Sequence, residues 1–343
     1  MSTGRRPAAA FPTQCAAIGL RAALGATGLG MIERGRVFRL AAFLFAAAAL
    51  IAPVAAKEKA AEAAASPAVW RVSDSDSAVY LFGTLGALPA GASWRSRTLA
   101  GAIDASDVLW FEAPVGEAGA GETADRIFRT EGVLPAGKTL TSLLAPERRE
   151  ALAAIAEKNG IPVKSLDGLK PWAAFVVLSA QIGASAGSVS ADADLMTEAK
   201  GRGRRLKYFE TIESSLGVLT MMPETEQVAL LSFLLDDFAR QESALPATFA
   251  AWRDGDAEAI DAHLNQSMRT AAPAAYKRLI ADRTQALAAG IAAALKSRET
   301  AFIALNAGYL VGPDGLPDAL AAAGFKVERL DRPPPAKPEL RDD

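Results

Sequence analysis

Three polar side chains follow apolar, strand-like runs of the sequence and could do acid–base chemistry. Glu112 ends the run VLWF, Glu210 ends the run LKYF, and Tyr309 comes shortly after the run AFIAL. In open α/β sheets, functional sites form beyond the carboxyl ends of the strands, so we expect these side chains to meet if the strands are neighbours. The two glutamates could then act as an acid–base pair, with the tyrosine as a proton or hydrogen-bond donor. Taken singly, each glutamate is as typical of a structural role, as a helix N-terminal cap or a partner for arginine, as of a chemical one.

Arg283 is a cation that could meet these acids. It lies on the apolar stripe of a predicted helix, between Tyr276 and Leu287. An arginine on such a face must find a carboxylate or stay at the edge of the core, so we expect Glu112 or Glu210 as its partner. The alternative is an arginine whose stem packs against the helix while its guanidinium stays in water.

The elements that would position these residues can be read from the apolar runs. The predicted strands are Val79–Leu85, Val108–Glu112, Leu206–Glu210, Ala301–Leu305 and Lys326–Leu330. Short apolar runs of this kind are typical of a largely buried parallel or mixed sheet. The predicted helices are Pro146–Glu157, Pro171–Ile182, one that begins at Pro223, Ala257–Met268 and Tyr276–Leu295.

These elements predict an α/β fold in which a central mixed or parallel sheet is flanked by helices. A helical middle section, residues 145–295, would cap the sheet rather than form an independent domain. With 50% apolar and 22% charged residues, the composition suits a globular core. The formal net charge of -2 predicts no nucleic-acid partner.

The amino-terminal part of the chain has the pattern of a secretory signal peptide. From Met31, three arginines precede the apolar run Leu40–Ala52, and small residues follow before Lys57. The pattern predicts a periplasmic or otherwise exported protein. The alternative is an inner-membrane protein anchored by residues 40–56, although the apolar run is short for a membrane span. Cys15 is the only cysteine and would be lost on export, which would leave no disulfide and no thiolate ligand.

The chain is therefore divided into five predicted segments. They are a non-structured extension (1–30), a signal peptide (31–56), a linker (57–68), the α/β domain (69–330) and a disordered tail (331–343).

Two other patterns predict no chemistry. His263 is the only histidine, and a lone histidine on a mixed helix is more typical of a surface or core position than of a metal ligand. The segment from Gly183 to Gly187 matches G-x-S-x-G, but a nucleophile elbow needs a strand before it and a helix after it. Helical sequence precedes this match, so it does not predict a serine hydrolase.

Five short motifs, taken in order and with their spacing, resemble the TraB/GumN (Tiki-like) family. They are YLFGTLGALPAG with SW and FE, LKPWAA, FET, YKRLIADR, and NAGYLVGPDGL with GF and V. The resemblance extends over about Val69 to Leu330. It implies an α/β fold with a sheet flanked by helices. It also implies a divalent-metal, protease-like site built from two Gly-x-x-His motifs and a glutamate.

The sequence departs from that pattern at the positions that would hold the metal. Gly83 matches the first motif, but Gly86 stands in place of its histidine. In the second motif Asn306 replaces the glycine and Tyr309 replaces the histidine. Glu112 matches the family's glutamate. Because glycine has no ligand atom and a phenol is a poor ligand beside imidazole, we expect a degenerate site with no metal and no other cofactor.

Two further motifs match only in part. Arg283 matches the arginine of the family's Arg-Asn pair, while Thr284 replaces the asparagine. Glu210 and Thr211 match a Glu-Thr pair, but Ser215 stands where glutamine is usual. If Arg283 pairs with a glutamate, a salt bridge would close the position that a cation takes in the family.

The resemblance and its departures lead to one functional expectation and one alternative. We expect an exported pseudoenzyme that binds an unknown peptide, polymer or envelope protein, or that supports the envelope. A membrane partner would follow only if the signal segment is not cleaved. The alternative is a peptidase-like hydrolase with a rebuilt site, in which Glu112, Glu210 and Tyr309 supply the acid–base chemistry.

Overall fold

Six short strands form one mixed sheet in the computed structural model, which describes residues 65–184 and 190–332. The strands are β1 (Val69–Ser73), β2 (Ala78–Thr84), β3 (Val108–Phe111), β4 (Arg205–Tyr208), β5 (Ala301–Asn306) and β6 (Lys326–Arg329). Their order across the sheet is β4-β3-β5-β2-β1-β6. The four strands from β4 to β2 run parallel, whereas β1 is antiparallel to both of its neighbours. The predicted α/β fold class is confirmed.

Strand β1 is the one element of the sheet that the sequence pattern did not predict. Arg71 interrupts its apolar run after two residues, which leaves no apolar stretch of strand length. In the sheet, Arg71 lies opposite Glu328 of β6, and its Nη1 is 3.3 Å from a carboxylate oxygen of that residue. The cross-strand pair gives the arginine a partner at the edge of the sheet.

Helices cover both faces of this sheet. Before β4 they are α1 (Arg97–Asp104), α2 (Ala120–Glu131), α3 (Leu140–Leu143), α4 (Pro146–Lys158), α5 (Val163–Asp167), α6 (Pro171–Ala184) and α7 (Ala191–Gly201). After β4 they are α8 (Ile212–Thr220), α9 (Glu224–Arg253), α10 (Ala257–Leu264), α11 (Gln266–Ala271), α12 (Pro273–Tyr276), α13 (Asp282–Leu295) and α14 (Leu316–Ala322).

Strand β5 is buried along its whole length because both of its faces are covered. Its side chains alternate between two hydrophobic clusters, as the pleat of a strand requires. Phe302 and Ala304 belong to one cluster, and Ile303 and Leu305 belong to the other. Burial of each large apolar side chain contributes roughly 1.5–3 kcal/mol, so this central strand is firmly held.

The helical middle section shares its core with the sheet. Trp172 of α6, Leu231 of α9 and Leu287 of α13 belong to the same cluster as Leu81 and Ile303 of the sheet. The long helix α9 packs directly against α6 and α4. Leu195 of α7 and Trp252 of α9 belong instead to the cluster of Phe302, so the middle section contributes to both clusters and shares its core with the sheet.

Two predicted helices are interrupted in the structure. The helix predicted over Ala257–Met268 breaks at Asn265, whose side chain donates hydrogen bonds to Asp261 and to the backbone oxygen of Gly308. The helix predicted from Tyr276 begins earlier, at Pro273, and contains a π-helical turn at Lys277–Ala281. A π turn contains one extra residue, which changes the direction of the residues that follow it, Arg283 among them.

Several predicted segments lie outside the described residues. They are the extension (1–30), the signal peptide (31–56), most of the linker (57–64), residues 333–343 of the tail and Ser185 of the G-x-S-x-G match. Within the described part of the chain, no helix combines the length and the apolar character that crossing a membrane requires.

Candidate functional site

The strand ends that carry the predicted site residues meet at one edge of the sheet. Strands β2, β5, β3 and β4 are parallel neighbours, so their carboxyl ends lie side by side. Glu112 follows β3 directly and Glu210 lies two residues beyond β4. The backbone N–H of Glu210 donates to the backbone oxygen of Glu112 at 2.9 Å, which extends the pairing of the two strands as far as the two acids.

Arg283 bridges the two glutamates. Its Nη2 atom lies 2.6 Å from Oε1 of Glu112 and 2.6 Å from Oε2 of Glu210. Because both distances begin at one nitrogen, these two carboxylate oxygens are at most about 5.2 Å apart. The exposed side-chain fractions are 9% for Arg283, 4% for Glu112 and 19% for Glu210. The ion pair predicted from the helix stripe is present, and it joins Arg283 to both acids rather than to one.

Tyr309 completes the group, which we call the Arg283 cluster (Glu112, Glu210, Arg283 and Tyr309). Its hydroxyl lies 3.4 Å from Oε1 of Glu112, a long and weak hydrogen bond. The Arg283 guanidinium lies over the phenol ring, 5.5 Å from the ring centre, within the range of a cation–π contact. The tyrosine side chain is fully buried. The structure therefore brings together all four residues that the sequence predicted to meet.

Two asparagines hold the turn that positions Tyr309. After β5 the chain forms a 3₁₀ turn at Ala307–Leu310. The side-chain oxygen of Asn306 accepts a hydrogen bond from the backbone N–H of Gly308 at 2.9 Å. Asn265 donates from its side chain to the backbone oxygen of Gly308 at 2.9 Å. Asn306 is therefore part of the turn itself, and Asn265 is a contributor that its position in the predicted middle helix did not reveal.

Burial dominates the electrostatics of Glu112. Loss of water raises the pKa of Glu112, the positive charge of Arg283 lowers it, and the negative charge of Glu210 raises it again. The net direction is upward. The Oε2 atom of Glu112 is buried and has no hydrogen-bond partner among the described residues, which also disfavours the ionised form. Glu112 therefore holds a proton more readily than an exposed glutamate does.

The first motif supplies backbone packing at this edge rather than ligands. A Cβ atom on Gly83 would lie 3.0 Å from Cα of Ala307, so a larger residue would push the turn after β5 away from β2 by a few tenths of an ångström. The indole N–H of Trp252 donates to the backbone oxygen of Gly83 at 2.6 Å. Gly86 lies in a bend two residues beyond β2 and has no side chain to offer.

A second polar contact at this edge was not predicted. The Thr84 hydroxyl lies 2.8 Å from Oδ1 of Asp192 and 2.9 Å from the backbone oxygen of Leu305. Thr84 and Asp192 are both buried, and Asp192 stands in the first turn of α7. The sequence ADAD at the start of α7 contains two acids, and local pattern does not show which of them points inward.

The Arg283 cluster does not fit a divalent metal as it stands. The guanidinium already bridges the two carboxylate oxygens that would be the main ligands, and a metal ion would have to bind beside this fixed positive charge. Carboxylate oxygens approach Zn²⁺ at about 2.0–2.2 Å, so the arginine would have to leave first. Within residues 65–184 and 190–332, no group of three or more His, Cys, Asp or Glu side chains is arranged to hold a metal. His263 is half-buried on α10.

The fold and this cluster define an α/β protein with a buried acid–arginine group at the ends of its parallel strands. The chain belongs to the TraB/PrgY/gumN family, whose model matches residues 68–329. The match extends over all six strands, and it confirms the predicted family. A search among curated proteins finds no match to this chain.

Proposed function

We propose that this protein is an exported member of the family that works without catalysis, by binding a peptide, polymer or envelope protein or by supporting the envelope. The observation that supports it is the position of Arg283, whose Nη2 lies 2.6 Å from an oxygen of each glutamate. A permanent positive charge then takes the place that a metal needs. The proposal therefore gives the residues of the Arg283 cluster a structural role and no catalytic one.

Burial supports a structural role for the cluster. Glu112 and Tyr309 are almost completely buried, so a substrate could touch them only after a rearrangement of the strand ends. Displacing the arginine would leave the buried carboxylate of Glu112 and the partly buried one of Glu210 without a partner. Breaking a buried ion pair in this way costs about 3–5 kcal/mol. A metal would have to repay this cost before it gained any binding energy.

The proposal is tested by metal binding together with peptide cleavage. The purified protein is incubated with Mn²⁺, Zn²⁺ or Co²⁺, desalted and analysed for metal content, and the same samples are assayed on unstructured peptides. We expect well under one metal per chain and no cleavage above that of a matched Glu112→Gln preparation. Stoichiometric metal with metal-dependent cleavage would overturn the proposal.

Export rests on the sequence pattern of residues 31–56 and has its own test. Amino-terminal sequencing of the protein recovered from the periplasm of an expressing bacterium should give a start at Lys57. A protein that stays in the membrane fraction with residues 40–56 attached would support the anchored alternative instead.

One observation favours a second candidate, a peptidase-like hydrolase with a rebuilt site. Burial raises the pKa of Glu112, as a general acid requires, and the Tyr309 hydroxyl lies 3.4 Å away as a second donor. Glu112→Gln combined with Tyr309→Phe separates the two candidates. An enzyme would lose metal-independent turnover while it keeps its fold, whereas the non-catalytic protein has no turnover to lose.

A further inference from the structure

A groove of about 420 Å³ runs along the long helix α9, between α4 and α11. We call it the charged groove and define it by Arg148, Asp236, Asp237, Arg240 and Ser267. Its volume lies within the range of small-ligand sites, about 300–1,000 Å³. None of these residues belongs to the Arg283 cluster, so the groove is a separate feature of the molecule.

The shape of the charged groove follows from the periodicity of α9. The residues of α9 that line it recur every three or four positions from Thr225 to Arg240. With a rise of 1.5 Å per residue, this stripe is about 22 Å long. An extended peptide advances about 3.3 Å per residue, so six or seven residues would match the stripe.

Two ion pairs place both signs of charge in the groove. Nη2 of Arg148 lies 2.9 Å from Oδ2 of Asp236, and Nη2 of Arg240 lies 2.6 Å from Oδ2 of Asp237. The first pair is exposed, with exposed side-chain fractions of 39% and 54%. An exposed pair contributes only about 0–1 kcal/mol, so a ligand can exchange partners with Arg148 and Asp236 at little cost. The Asp237 side chain is only 10% exposed and also accepts from Gln241, so the second pair stays intact.

Ser267 gives an independent reason to expect a ligand. It lines the groove, and its Oγ atom is buried with no hydrogen-bond partner among the described residues. Buried hydroxyl groups in proteins are nearly always hydrogen-bonded. A backbone amide or carbonyl of a bound chain would supply the missing partner once the Ser267 side chain turns towards the groove.

We propose that the charged groove binds an extended peptide segment that carries both acidic and basic side chains. Arg148 binds its carboxylate, Asp236 binds its ammonium or guanidinium group, and Ser267 bonds to its backbone. A uniformly anionic polymer fits less well, because it would face the two aspartates. This inference rests on the proposed binding function and names the class of its partner.

Selection from a phage-displayed heptapeptide library tests the proposal on the full folded protein. We expect the enriched peptides to contain both acidic and basic residues. Binding of a selected peptide, synthesised with a fluorescent label, should weaken about tenfold or more in Arg148→Gln, since a hydrogen bond to a charged group contributes about 1.5–3 kcal/mol. Ser267→Ala should weaken binding while the melting temperature stays unchanged or rises.

The matched control is Lys158→Gln, because Lys158 pairs with Glu242 and links the same two helices outside the groove. It should leave peptide affinity unchanged. The inference is overturned if no peptide is enriched, if the enriched peptides carry one sign of charge only, or if the control weakens binding as much as Arg148→Gln. Metal-dependent cleavage would instead overturn the proposed function and would leave these binding results unaffected, so the two failures can be told apart.

Discussion

Replacing Arg283 by methionine should lower the free energy of unfolding by about 3–5 kcal/mol at neutral pH, because the change leaves buried Glu112 and partly buried Glu210 without their cation. The distances support a value in this range. Both carboxylate contacts are 2.6 Å, and Glu112 is only 4% exposed. Methionine has a similar apolar stem, so the packing of α13 changes little and the electrostatic loss dominates.

The loss of stability caused by Arg283→Met should grow as the pH rises from acid to neutral. The folded-state pKa of Glu112 is raised above its ordinary value of 4.5. Its contribution to stability is therefore fully present below about pH 4.5 and is lost as the pH rises through the folded-state pKa. Without Arg283 the pKa of Glu112 should rise further. The variant should be closest to the wild type in acid and should lose more stability with each step towards neutral pH.

Urea unfolding at several pH values from 4 to 8, followed by fluorescence, measures both effects. Arg278→Met is the matched control, because Arg278 lies in the adjacent π turn and pairs with a half-exposed glutamate, Glu226. It should cost less than about 1 kcal/mol. A loss below 1 kcal/mol for Arg283→Met, or a loss that is the same at pH 4 and pH 8, would refute the argument that Arg283 neutralises buried acids.

Three further substitutions test other parts of this edge of the sheet. Glu112→Gln should remove the fall in stability with rising pH, because glutamine does not ionise. If the urea midpoints of the variant and the wild type change in parallel from pH 4 to pH 8, the raised pKa of Glu112 is contradicted. Gly83→Ala should lower the free energy of unfolding by about 1–3 kcal/mol, since its Cβ would lie 3.0 Å from Cα of Ala307. An unchanged melting temperature would show that β2 and the turn after β5 can separate freely. Thr84→Val should lower the free energy of unfolding by about 1–3 kcal/mol, because Asp192 loses a buried hydrogen-bond donor at 2.8 Å. A loss below about 0.5 kcal/mol, measured by calorimetry, would mean that other groups satisfy the Asp192 carboxylate.

The local pattern predicted most of the sheet because β2, β3 and β5 are short, largely apolar runs. Strand β1 was not predicted because Arg71 breaks its apolar run, and its pairing with Glu328 on β6 is a long-range contact that the local pattern does not contain. The roles of Asp192 and Asn265 were not predicted for a related reason. Each is an ordinary helix residue by local pattern, and its role depends on a partner that lies 43 or more residues away in the sequence.

The sequence by itself determined the family through the resemblance of five short motifs. It also determined the fold class and the positions of the two acids, because apolar runs and helix stripes are local patterns. It also indicated that Arg283 needs a carboxylate. Only the tertiary structure decided that one guanidinium nitrogen bridges both glutamates and that Glu112 and Tyr309 are almost fully buried. It likewise decided that two ion pairs and an unpaired hydroxyl line one groove. The physical reason is that burial and charge pairing depend on distances between segments far apart in the chain, and local residue patterns do not contain those distances.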